Sequence, residues 1–340
     1  MAQRDFQKCR SESCPERALS FADSCWEHVD REAFLQALPA RVRTAASSGP
    51  IALNLKKVTC GNLDFSGLDL RGSSFSQSHL TYCLFIGANL SEVDLIGSRL
   101  HGCDFVGAEL SDVNLTRSTL DHCSFAYADL RRAYLVEARF KEVDFMGAQL
   151  FRAILWNADL TGAKHLKKKN FHDPFSKGDG LNEDNAIVAF ESYRTLKHHL
   201  HDKGLFEDGS WASYRELTME RKHLFNTRDP RFIPSFLMNL FSGYTEKPNR
   251  VILSSLAVVF FFGFVYYLFD VPRSQSLPMA RASLSDCVYF SFITFTTVGY
   301  GDFAPKAVCW FRLLACTEAF SGPFMAGLYI FTLTRRYAAG

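Results

Sequence analysis

The sequence predicts a multidomain membrane protein, part all-α and part β-coil. Three observations carry this. A five-residue period of Leu or Phe runs unbroken from Phe65 to Leu160. Two long apolar stretches lie in the last ninety or so residues. A third apolar stretch between them is too short to cross a bilayer. At 340 residues the chain has room for two or three domains. The net charge of +2 gives no electrostatic case for nucleic-acid binding. The start, MAQRDFQKCR, is polar and lacks the apolar core of a signal peptide. The N-terminal part is therefore expected in the cytosol, with its thiols reduced.

The chain divides into four stretches: 1–45, 60–165, 166–249 and 250–340. In the second, neither a helix nor a flat strand yields a period of five. A further period of twenty sits on top of it: Phe65, Phe85, Phe105, Phe125 and Phe145, with Cys83, Cys103 and Cys123 in another column. Four five-residue units per twenty imply a four-sided coil, and coils stacked at about 4.8 Å would make a rod of roughly 24 Å. ANLSE, AELSD and ADLRR resemble the unit of pentapeptide-repeat proteins. The resemblance implies a right-handed quadrilateral β-helix, and the favoured reading of the repeat is a scaffold or spacer. Some members of that family mimic DNA with an acidic surface. Thirteen acids against nine bases between Gly61 and His165 is too small a surplus for that. The cysteine column is expected to be small buried residues rather than a redox ladder.

From 166 to 249 the chain begins with a charged, Gly- and Pro-punctuated stretch and continues as helix. Ala189, Tyr193, Leu196 and Leu200 share one helical face, with Gly204 as a stop, and SWASYRELTMERKHLF forms a second helix. The HHLH at 198–201 is expected on a solvated face. Ile233, Phe236, Leu237, Leu240 and Phe241 recur with helical spacing just before the first apolar stretch, which predicts a helix lying in the membrane interface.

Val251 to Phe269 is a run of 19 uncharged residues, about 29 Å as a helix, enough to span. Ala307 to Thr334 is longer and would tilt or protrude. Residues 284–295 must be buried within protein. Lys247 and Arg250 before the first span, and Arg335 and Arg336 after the second, place both ends in the cytoplasm. Glu318 is an acid deep in a span; it either holds a structural hydrogen bond behind the loop, the favoured expectation, or faces water in a cavity.

The order span, short helix, Thr297-Val298-Gly299-Tyr300-Gly301, span resembles the two-transmembrane potassium channels. The resemblance implies a homotetrameric pore domain with these five residues as the selectivity filter and K+ as the transported ion. It places Asp302 at the filter mouth, with Tyr289 as its hydrogen-bond donor. It assigns Gly322, Pro323 and Gly327 to an inner-helix hinge and Phe331 and Thr334 to a gate. Where some members carry a glutamate that braces the mouth, this chain has Ile293. It further implies a multi-pass protein of a bacterial plasma membrane, and no enzyme. The rival reading is a membrane-anchored repeat scaffold with an unidentified cytoplasmic protein partner.

Cys9-x4-Cys14 and Cys25-x2-His28 supply two close pairs of soft ligands, suited to one structural Zn2+ in a segment too short to build its own core.

Overall fold

The computed structural model describes residues 8–11, 14–47, 49–173, 178–274 and 281–337. The first residues of the chain, part of the charged stretch at 174–177, and the side chains of Arg335 and Arg336 lie outside that description. The chain forms two compact units, Met1–His223 and Leu224–Gly340.

A β-solenoid dominates the first unit. Strands β1 (Thr59–Gly61), β2 (His79–Thr81), β3 (Arg99–His101), β4 (Thr119–Asp121) and β5 (Arg139–Lys141) stack in parallel in that order. Every partner lies twenty residues away, as in Cys60, Leu80, Leu100, Leu120 and Phe140. On another side of the coil, β6 (Val143–Asp144) pairs with β7 (Ala163–Lys164). Each fifth side chain points inward because a four-sided coil turns one corner per unit. The Phe column stacks face to face, with centroids 4.8 Å apart for Phe85–Phe105 and 4.7 Å for Phe105–Phe125. These spacings match the rise between stacked strands. Cys83, Cys103 and Cys123 are buried in their own column, and the thiols of Cys103 and Cys123 hydrogen-bond to the carbonyls of Leu80 and Leu100.

A stack of parallel strands has two raw edges, and both are covered. At the N-terminal edge the coil begins earlier than the Leu/Phe period, since Ile51 and Leu55 already bond to the next turn. Asn54 ties this turn to the Cys/His segment, donating to the Ala18 carbonyl at 2.7 Å and accepting from the Ser20 amide at 3.0 Å. Helix α1 (Arg31–Ala46) lays Phe34, Leu38 and Val42 against the same core. This helix was not foreseen, because Pro39 interrupts its apolar pattern.

At the C-terminal edge the antiparallel pair β8 (His172–Asp173) and β9 (Gly178–Asp179) leads into α2 (Ala186–Asp202) and α3 (Phe206–Asn226). Asn185 caps α2, and Gly204 follows its end at φ 70°. Ala189, Tyr193, Leu196 and Leu200 are fully buried on the solenoid, and the Leu155 amide donates to the Ser192 hydroxyl at 3.2 Å. α2 and most of α3 are thus part of the solenoid's own core. The expectation of a solvated face at 198–201 needs correction. His198 is exposed, but His199 is buried beside the last coil, and that burial lowers its pKa.

The second unit is helical. α4 (Phe232–Ser242) exposes Ile233, Phe236, Leu237 and Leu240 and stops at Gly243 in the left-handed region. α5 (Pro248–Phe269) starts on a proline, which needs no amide hydrogen in the first turn. α6 (Leu284–Phe295) and α7 (Cys309–Tyr337) complete the unit, together with a short antiparallel pair, β10 (Pro272–Ser274) and β11 (Phe303–Pro305). α5 and residues Cys309–Thr334 of α7 are candidate membrane helices by length and composition. α6 has 12 residues and cannot span.

Cutting the buried stack should show its weight. Phe105→Ala should destabilise the solenoid by about 3–5 kcal/mol, and Leu84→Ala, which faces outward, by roughly 0.5 kcal/mol or less. Hydrogen exchange of the coil amides in the solubilised full chain under urea measures both.

Candidate functional site

α6 is fixed at its start by a reciprocal cap. The Ser283 amide donates to the Asp286 carboxylate at 2.9 Å, and the Asp286 amide donates to the Ser283 hydroxyl at 3.2 Å. Its buried face is Cys287, Phe290, Ser291 and Ile293. Gly263 of α5 lets it approach closely, since a Cβ there would lie 2.9 Å from Val288 Cγ2.

The chain leaves α6 through Thr296 and turns sharply. Thr297 sits at φ 58°, Gly299 at 50° and Gly301 at 83°. Glycine enters this region without steric cost. A β-branched residue there is uncommon, and nothing in the sequence signals Thr297. Two amides anchor the loop: those of Val298 and Gly299 both donate to the Ile293 carbonyl, at 3.0 and 3.2 Å. Residues 297–302 are all exposed in the single chain, Tyr300 at 73%. Tyr289 stands beside Asp302, its ring 6.0 Å from that of Phe303.

Beyond Asp302 the chain enters β11, whose partner β10 follows the end of α5. An ion-pair cluster supports this hairpin, with Lys306 Nζ at 2.6 Å and Arg273 at 3.2 Å from Asp270 Oδ2. The Lys306 ammonium lowers the Asp270 pKa. The carboxylate therefore stays ionised at neutral pH, and its contribution would fade only as the solution becomes acidic enough to protonate it.

Behind the loop, Glu318 of α7 is fully buried. The Tyr266 hydroxyl of α5 donates to Glu318 Oε2 at 2.5 Å, and the Ser291 hydroxyl meets both Glu318 Oε1 and, at 2.7 Å, the Val259 carbonyl. Further along α7, a Cβ on Gly322 would overlap the Phe295 carbonyl oxygen. Gly322 is therefore a close-packing residue, and α7 runs unbroken through Pro323. A Cβ on Gly327 would meet nothing within 4 Å. Phe331 is 56% exposed, and the Thr334 hydroxyl donates to the Ile330 carbonyl at 2.9 Å.

In the first unit, the thiols of Cys9, Cys14 and Cys25 and the Nδ1 of His28 all lie within 4.8 Å of one another. Amide hydrogen bonds from Cys25 and Ser11 bring the Cys9 thiol down to about 6, while burial raises Cys25. A second cluster went unseen in the sequence because its members sit on neighbouring coils. On the solenoid surface, His101 and His122 contact Asp121 at 3.0 and 2.8 Å, with Lys141 Nζ 3.8 Å from the same carboxylate. The lysine makes this an ion-pair network rather than an open ligand set.

Residues 254–339 match the ion channel family, and eight copies of the pentapeptide repeat match within 60–164. The chain thus carries a potassium channel-like domain at its C-terminus and pentapeptide repeats N-terminal to it. Two-pore potassium channel 1 of Arabidopsis thaliana is 36% identical over 88 residues, 26% of this chain, and the match spans only 23% of that relative's length. HetL, a pentapeptide repeat protein involved in heterocyst differentiation regulation from Nostoc sp. strain PCC 7120, is 27% identical over 32% of this chain and 56% of its own, with a TM-score of 0.25. A pentapeptide repeat protein from the Arabidopsis thaliana thylakoid lumen is 21% identical over 42% of this chain and 89% of its own, also at 0.25. Those superpositions are local, and the repeat assignment stands on the sequence match and the coils themselves.

The two glycines of α7 should respond differently to a methyl group. Gly322→Ala should push α7 off α6 and lower the melting temperature of the solubilised protein by several degrees, whereas Gly327→Ala should leave it unchanged or raise it slightly. A thermal melt of both variants checks this.

Proposed function

We propose that the protein conducts K+ selectively through a pore built by four copies of the chain, each supplying Thr297–Gly301 as one quarter of a filter. The observation that carries this is the state of that loop. It is anchored from behind through the Ile293 carbonyl, its residues take alternating left-handed conformations, and its outer surface is bare in the single chain. A loop at membrane depth is tolerable only beside protein or a water-filled path. A closed ring of four such loops meets that condition and provides backbone oxygens able to replace the hydration shell of a potassium ion. Asp302 and Tyr289 then lie at the outer mouth. Gly327, with open space around it, suits a hinge better than Gly322, and Phe331 and Thr334 suit a constriction near the cytoplasmic end of α7. Both termini lie in the cytoplasm under this reading, which Lys247 and Arg250 before α5 support. The exposed apolar side of α4 rests in the inner interface.

The test is flux of K+ and Na+ into liposomes holding the purified full chain. Wild type should pass K+ far faster than Na+, and Gly299→Ala or Tyr300→Ala should abolish that preference. No flux, or flux without preference, would point to a membrane-anchored repeat scaffold.

The Cys/His segment serves as a structural Zn2+ site in the same reading. A tetrahedral zinc with sulfur ligands at about 2.3 Å places donor atoms roughly 3.8 Å apart. Cys14 and Cys25 sulfurs are 3.6 Å apart, and Cys9 and Cys25 sulfurs lie 3.5 and 3.2 Å from His28 Nδ1. Four protein donors leave no open position for catalysis, so the metal would hold the cap on the solenoid's N-terminal edge. Metal analysis should find about one zinc per chain, lost in Cys14→Ser. Faster exchange of the Ser20 amide should accompany that loss, since its partner Asn54 belongs to the first coil. A wild-type protein purified without chelator yet free of zinc would contradict it.

A further inference from the structure

One carboxyl group joins all three helices around the loop. Glu318 of α7 meets Tyr266 of α5 and Ser291 of α6, and Ser291 also meets the Val259 carbonyl of α5. All three side chains have 0% exposure. The partners of the acid are two hydroxyls, and neither is a cation. The hydrogens can be counted. These contacts need three, and two hydroxyls supply two. A single Ser291 hydrogen cannot serve both the Val259 carbonyl and Glu318 at full strength. The shortfall closes if the carboxyl takes part as the neutral acid. Glu318 then donates to Ser291, Ser291 donates to the Val259 carbonyl, and Tyr266 donates to the other carboxyl oxygen. Every group is satisfied, and no unpaired charge is buried among the helices.

The position of Ser291 gives this network its reach. Two residues on is Ile293, whose carbonyl holds the Val298 and Gly299 amides. One turn along α7 from Glu318 is Gly322, packed against the Phe295 carbonyl. α7 therefore grips α6 at two heights, and the upper part of the loop hangs from the residue between them. We propose that Glu318, as a neutral acid, is a positioning residue that holds α6, and through the Ile293 carbonyl the Val298–Gly299 segment, at the spacing that K+ selection requires. Selectivity as the readout rests on the conduction reading above; the brace itself does not.

The experiment compares wild type with Glu318→Gln, Glu318→Ala and Tyr266→Phe in the full chain. K+ and Na+ fluxes are measured in liposomes, and hydrogen exchange at the Val298 and Gly299 amides in the same samples. Gln can donate to Ser291 and accept from Tyr266, so its K+/Na+ flux ratio should stay within about twofold of wild type. Glu318→Ala and Tyr266→Phe each leave a buried polar group unpaired or remove a link, and should lower the ratio about tenfold and speed exchange at both amides. If Glu318→Ala fails to assemble, Tyr266→Phe, which deletes one oxygen, decides the matter. Unchanged exchange in both variants overturns the brace whatever the fluxes. Gln as damaging as Ala overturns the neutral-acid form. Faster exchange at both amides in the variants, beside a wild type that shows no K+ preference, would keep the brace and sink the conduction reading instead.

Discussion

A peptide group at membrane depth must find a hydrogen-bond partner in its own chain, in a neighbour or in water. Most of the second unit follows from that constraint. α5 and α7 satisfy it internally as long helices. α6 is too short to cross, so on the proposed reading the chain changes direction within the apolar layer, and each device there limits exposed backbone. The Ser283–Asp286 cap closes the start of α6. The Ile293 carbonyl takes two amides of the returning loop. The β10–β11 hairpin pairs the strand that leaves the loop with the strand that leaves α5. Among the described residues, what remains is the segment 297–302, with its surface bare in the single chain. On the proposed reading that segment faces other copies and an ion path.

The same rule, in water, organises the first unit. A solenoid pairs every coil with the next and leaves exposed strand edges only at its two ends. The Cys/His segment and α1 cover one, and α2 and α3 cover the other, so that the core runs without a break from Leu19 to Met219. The caps are made of different material because they solve different problems. At the C-terminal edge two amphipathic helices bring enough apolar surface to close the core. At the N-terminal edge α1 brings Phe34, Leu38 and Val42, and the short Cys/His segment beside it is held by bonds to Asn54, the Glu16–Lys57 ion pair at 2.7 Å and the cluster of three thiols and an imidazole.

Features that repeat or that declare their length were legible in the sequence. The five-residue period marks the coil because each inward residue faces the same geometry. The apolar run 284–295 marks α6 to the residue, and the face of α2 was readable from Ala189, Tyr193, Leu196 and Leu200. Features that depend on distant partners were not. Tyr266 and Ser291 stand 52 and 27 residues from Glu318, and only the packing of three helices brings them together. His199 looked like part of a solvated run because the sequence does not say that the last coil lies over it. Thr297 adopts a conformation expected of glycine because the Ile293 carbonyl holds the two amides that follow it. Gly322 looked like a hinge, while its surroundings make it a contact surface for α6.

The whole account turns on copy number, because one chain offers a single bare loop and a ring needs several. The mass of the detergent-solubilised full-length protein, measured under native conditions, tests this most directly. Four chains per particle, stable on dilution and dissociating only with denaturation, is the predicted result. A particle holding one chain, stable in every detergent tried, would contradict it, because the Val298–Tyr300 surface would then have nothing to face but lipid.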